Sequence, residues 1–160
     1  MKKSVVTPTT DTKEQIISVA ERLFAERGFS ATTLRNVVSE AGVNLAAVHY
    51  HFGSKEELFR AVVEQFSRPV VEQELILLRQ LQAGAETLSV EAILTAIFKP
   101  CLEFLARDRE ALLIRARFMG RCRIEPEPLK SMVEGEFAEV TEICLDLLQR
   151  VLPDQSRSQL

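Results

Sequence analysis

Between Phe29 and Leu58 the chain reads FSATTLRNVVSEAGVNLAAVHYHFGSKEEL, where hydrogen-bond donors and small apolar residues are interleaved with positions at helical spacing. Val48 and Phe52 are four apart and face inward, which leaves Asn44, Ala46, His49 and Tyr50 on the outer side of one short helix. Such a helix fits the DNA major groove, with its first residues at base edges and flanking donors on the sugar-phosphate rails. Arg35 suits either a bidentate contact to guanine O6 and N7 or a phosphate contact, and both readings stand. Asn44 can pair with adenine, while Leu45 and Ala46 can pack on thymine methyl groups. Because Leu45, Ala46 and Ala47 bring no donors, polar readout is thin and part of the specificity falls to DNA shape. His51 either supports the core, its ring bonded to nearby backbone, or meets a phosphate. His49 and His51 are two apart and diverge by about 200° around a helix, which argues against a shared metal.

The elements that must hold these residues are legible in the spacing. Thr32 or Thr33 caps a helix whose inner face is Leu34, Val37, Val38 and Ala41, and Gly42 ends it. Upstream, Asp11 and Glu14 are spaced like a capping pair. They open a helix with Ile16, Ile17, Ala20, Leu23 and Phe24 inward, stopped by Gly28. Ser54 caps a further helix with Glu56 and Glu57 in its first turn and Leu58, Val62 and Phe66 on its inner face. Pro69 predicts a kink or break of that helix near Arg68.

The block AGVNLAAVHYHFGSKEEL, with TKEQIISVAERLFAERGFSATTLRNV before it, closely resembles the DNA-binding domain of TetR-family transcriptional regulators over residues 12–66. The resemblance implies a homodimeric bacterial regulator, cytoplasmic, whose N-terminal domain grips a double-stranded DNA operator while a divergent helical domain binds a small molecule and releases the DNA. It also implies phosphate contacts from Thr33, His49 and Tyr50, and from Lys55 beside the backbone amides opening the fourth helix. Many relatives carry Lys, Gly and Thr where this chain has Leu45, Ala46 and Ala47. The position of His49 is often Tyr, so the contact here is shorter and pH-dependent.

The expected fold is all-α: a flexible arm over residues 1–10, a three-helix helix-turn-helix domain over 11–66, and a helical effector-binding and dimerisation domain over 67–160. In the second domain, helical periodicity resumes to about residue 82 and Ser89 opens another helix after a loop at Gly84. That helix is apolar on far more than one stripe, as expected of a segment surrounded by others, with a bend at Pro100. Residues 107–123 hold six arginines against two acids. Three readings are open: a solvated or dimer-facing edge, an arginine neutralising an anionic effector, or direct DNA contact. An apolar or amphipathic effector is expected among Phe98, Cys101, Leu102, Arg115, Arg117 and Phe118. A last long helix is expected from about Leu129 to Leu152, with Phe137, Val140, Ile143, Cys144, Leu147, Leu148 and Val151 on one face, either as subunit interface or packed on its own domain. PDQSRSQL looks like the start of another helix capped by Asp154 or Ser156, so the family's last helix is expected to be lacking.

Composition bounds the alternatives. Of 160 residues 46% are hydrophobic, enough for one core or two small ones, yet no apolar run approaches about 20 residues and no signal-peptide pattern opens the chain. Neither membrane insertion nor export is indicated. Cys101, Cys122 and Cys144 include no CxxC pair, so free buried thiols are expected and no metal or cofactor. The net charge of −3 is unusual for a DNA binder, but residues 1–66 are balanced at eight Lys or Arg against eight Asp or Glu, and the deficit lies beyond them. An enzyme would need a nucleophile with its base, a carboxylate pair or a nucleotide loop, and none is apparent. The alternative from another class is a helical dimer binding ligand or protein on this scaffold without an operator. As a switch, an effector bound around residues 75–120 would tilt the fourth helix and change the spacing of two reading helices, which half-sites one turn apart fix at roughly 34–36 Å.

Overall fold

The computed structural model describes residues 10–84, 87–107 and 112–155. Among these residues there is no strand, and the chain runs through α1 (Thr10–Ala31), α2 (Leu34–Ala41), α3 (Leu45–Phe52), α4 (Lys55–Gln82), α5 (Val90–Ala106), α6 (Leu112–Cys122), α7 (Leu129–Glu136) and α8 (Ala138–Val151). Residues 1–9 of the expected arm lie outside the described residues, as does Ser156, whereas Thr10 already belongs to α1 and Asp154 lies in a turn. The chain divides into two compact units, Met1–Val63 with Leu113–Lys130, and Glu64–Leu112 with Ser131–Leu160.

The first unit buries the face read from the spacing. Ile16, Ala20, Leu23 and Phe24 of α1, Val37 and Ala41 of α2, Val48 of α3 and Leu58, Phe59 and Val62 of α4 are almost fully enclosed. Phe24, Phe29 and Phe59 form an aromatic cluster with centroids 5.2–5.9 Å apart, and Phe118 of α6 joins it 5.7 Å from Phe59. Each such pair is worth about 0.5–1.5 kcal/mol beyond the area it buries. α1 is kinked at Gly28, whose φ of 80° and ψ of 170° no helix contains.

The second unit centres on Leu78 and Leu81 of α4, Ile93 and Ala96 of α5, and Val140 and Leu147 of α8. Phe66 meets Phe104 edge to face at 5.2 Å, and the buried Ser67 hydroxyl donates to Glu136.

Three expectations are corrected. α4 does not break near Arg68: it is one helix through Pro69. Proline there forfeits one hydrogen bond, to the carbonyl of the exposed Gln65, while Phe66 and Val70 are buried on either side and hold the helix in place. The single helix expected from Leu129 to Leu152 is two, separated at Phe137 (φ −106°, ψ 5°), whose N–H bonds back to Glu134 in a tight turn just after Gly135. Finally, α5 is not surrounded within its unit. Ile93, Ala96 and Pro100 are buried, but Phe98 and Leu102 are 57% and 62% exposed.

Candidate nucleic-acid interface

α2 and α3 form a helix-turn-helix whose ends are closed by side chains. Thr33 caps α2: its Oγ accepts from the Asn36 N–H at 3.2 Å, and the Asn36 carboxamide oxygen accepts from the Thr33 N–H at 3.0 Å and hydroxyl at 2.7 Å. This is a capping box with asparagine in the usual place of Glu or Gln. Gly42 ends α2 in the left-handed region (φ 64°, ψ 25°), its N–H returning to the Val38 carbonyl. Two residues later Asn44 caps α3, its side-chain oxygen accepting from the Ala47 N–H at 2.8 Å.

With Ala47, Val48 and Phe52 buried, α3 turns the other side outward. Asn44, Leu45, Ala46, His49 and Tyr50 are all exposed, Tyr50 at 74% and Leu45 at 40%. Arg35 is exposed on α2. His49 Nδ1 lies 2.8 Å from the Gly53 carbonyl. A carbonyl only accepts, so Nδ1 carries the proton and Nε2 of the neutral ring is left as an acceptor. Only the protonated ring offers a phosphate an N–H from Nε2.

The backbone bond anticipated as one of two readings for the His51 ring is found at His49 instead. It is His49 that bonds to backbone, whereas Nε2 of His51 is buried without a hydrogen-bond partner, the ring lying 5.2 Å from Tyr50 and 6.0 Å from Phe52. Lys55 is also turned inward. Its Nζ donates to the carbonyls of Phe29 and Thr32, each at 3.0 Å, and stands 4.0 Å above the Phe29 ring. Two of its three N–H bonds thus fasten the α1–α2 corner, and one is left for any phosphate. The hydroxyl hydrogen of Thr33 is likewise spent on Asn36. Ser54 caps α4 as the sequence indicated, accepting from the Glu57 N–H at 3.1 Å.

Charge around this face is kept from opposing a polyanion. Glu40, the only acid in residues 28–55, is paired with both Arg22 and Arg27. Sequence reasoning missed these ion pairs and the inward bonds of Lys55, because each depends on a partner outside the local helix.

The residues anticipated around an effector are divided between the units. Phe98, Cys101 and Leu102 belong to the second, whereas Arg115, Arg117 and Phe118 belong to the first, where Phe118 is core. Val90, Leu94, Phe98 and Leu102 line an open groove along α5 of about 710 Å³. On the anticipated dimer face, Val140 and Leu147 are buried in the second unit's core, with Cys144, Leu148 and Val151 half-buried against it. Atoms already enclosed there cannot also meet a second subunit. Phe137 is half-buried at the α7–α8 break.

Glu74 is a buried group the sequence did not flag. It is 4% exposed, its Oε2 has no partner, and burial pushes its carboxyl up to about 7. The three cysteines are free. Burial raises all three thiols, Cys122 to about 12, with Glu74 adding to the effect at Cys101 and Cys144 and Glu125 at Cys122.

Comparison with known proteins agrees with this geometry. Residues 16–62 match the family model described as "Bacterial regulatory proteins, tetR family", and residues 95–160 match "Tetracyclin repressor-like, C-terminal domain". The HTH-type transcriptional dual regulator CecR of Shigella flexneri is 33% identical over 132 residues, 78% of this chain and 56% of the relative. The HTH-type transcriptional regulator AcrR of Shigella flexneri is 33% identical over 145 residues, 88% of this chain and 61% of the relative. The chain therefore spans less than two thirds of either. Among solved structures, the SmeT–triclosan complex superposes with a TM-score of 0.64 at 23% identity, covering 88% of this chain and 67% of that one. The multidrug binding protein EbrR complexed with malachite green gives 0.61 at 20%, covering 86% and 73%. At these identities the structural likeness speaks to the fold.

Proposed function

Because the chain belongs to the TetR family of bacterial regulatory proteins, we propose that it is a ligand-responsive transcriptional regulator, a repressor that binds a palindromic operator as a dimer in the cytoplasm and leaves it when a small apolar or amphipathic effector binds. The observation that carries this reading is the outer side of α3: Leu45, Ala46, His49 and Tyr50 are exposed together on a helix anchored by the buried Ala47, Val48 and Phe52 and capped by Asn44. A helix so fixed can enter the major groove without reorganising, and Arg35 lies on the neighbouring helix for a base or phosphate contact. No helix among the described residues is long and apolar enough to cross a membrane.

For the response, an effector held by the second unit, with Phe98, Cys101 and Leu102 in its lining, acts on DNA through α4, which contributes residues to both units. An unbroken α4 supports a tilt of the whole helix rather than a hinge at Pro69. SmeT and EbrR, of the same fold, are seen with triclosan and with malachite green, which supports an aromatic effector. The effector must prefer the DNA-incompatible state.

The experiment is selection of bound duplexes from a randomised pool, followed by gel shift of the enriched sequence. Tyr50→Ala and Arg35→Ala should each weaken binding at least about tenfold. Undiminished binding by both variants would discard α3 and α2 as the reading surface.

A further inference from the structure

Resting on the operator reading above, we infer that Leu45 is a specificity-determining residue that selects thymine through its 5-methyl group, so that the operator is told apart chiefly by methyl contact rather than by hydrogen bonds from α3. Leu45 is the first residue of α3, immediately after the Asn44 cap, and it is 40% exposed on the outward stripe that continues to His49. In a docked reading helix the first turn is the part that reaches base edges.

The one polar side chain in that turn, Asn44, is already used as the helix cap. Pairing with adenine asks asparagine to donate to N7 and accept from N6, yet the Asn44 oxygen holds the Ala47 N–H at 2.8 Å. Ala46 brings no polar side-chain atom, and His49 Nδ1 is turned to Gly53. What α3 presents at its start is therefore an isobutyl group beside a methyl group.

The major-groove edge of the base pairs carries a single apolar group, the 5-methyl of thymine. Against the amino group of cytosine or adenine the Leu45 side chain would strip water and return no hydrogen bond, so the wrong base is penalised as well as the right one favoured. Burying one methyl-sized group is worth about fourfold in affinity, and an unsatisfied amino group a further tenfold or so.

The test uses the full chain and the operator duplex enriched from the randomised pool, resynthesised with each thymine replaced singly by deoxyuridine, which removes the methyl and leaves the base pair intact. A single uracil at one position of either half-site should weaken binding about fourfold, and Leu45→Ala should bind both duplexes equally. Equal affinity of the unaltered protein for every thymine and uracil duplex overturns the inference while leaving operator binding intact. Persistence of the uracil effect in Leu45→Ala overturns the assignment to this residue. Failure to enrich any duplex overturns the operator reading and this inference with it, and is distinguished by the absence of a shifted band for the thymine duplexes themselves.

Discussion

The guanidinium of Arg121 stands 3.0 Å from the point where a Cβ on Gly28 would lie, and Gly28 holds a φ of 80°. From that position Arg121 donates to the carbonyls of Ala25 at 2.8 Å and Glu26 at 3.1 Å, so a cation closes the last regular turn of α1. Glu125 completes the arrangement by accepting from the Phe29 N–H at 3.1 Å. The helix end that precedes the helix-turn-helix pair is thus finished by residues 96 positions further along the chain.

Gly28→Ala should accordingly cost about 2–3 kcal/mol, since the left-handed backbone and the lost space act together. In urea unfolding, the same substitution made in Arg121→Ala should cost less by about 1 kcal/mol, because the steric part is relieved and the backbone part is not. Additive costs would show that the two residues do not constrain each other.

Glu74 sets a pH dependence of stability whose sign follows from its burial. Its carboxyl titrates near 7 in the folded chain, against an ordinary value of 4.5. Between these the folded state holds a proton that the unfolded state has released. The stabilising contribution is therefore fully present below about 4.5 and is lost as pH rises through 7, an effect on the order of 3 kcal/mol. Glu74→Gln should leave stability at pH 4 nearly unchanged and raise it at pH 8 by much of that amount. A pH-independent difference between variant and parent would refute the buried-charge account.

Much of the fold and of the reading surface was legible because it is local. Thr33, Ser54 and Ser89 precede runs at helical spacing and lie three residues before the N–H their side chains take up, whereas Asn44, read only as a base contact, caps α3 in the same way. Val37, Ala41, Val48 and Phe52 are buried as their periodicity indicated. What escaped depends on tertiary surroundings. Pro69 is tolerated because burial on either side outweighs one absent bond, and Phe137 interrupts a pattern that reads as continuous by spacing alone. Lys55 looked like a surface charge at a helix start, but the α1–α2 corner offers it two carbonyls and a ring face.

That inward position separates the roles of two basic residues. Lys55→Ala should destabilise the protein by about 2 kcal/mol, since two carbonyls lose a charged donor, while the salt dependence of operator binding changes little. Arg35→Ala should leave stability within about 0.5 kcal/mol and flatten the plot of log affinity against log salt by about one unit per contact if it holds a phosphate. An unchanged slope with reduced affinity at one base position would assign Arg35 to guanine instead. A large slope change in Lys55→Ala at unaltered stability would put the amine on DNA.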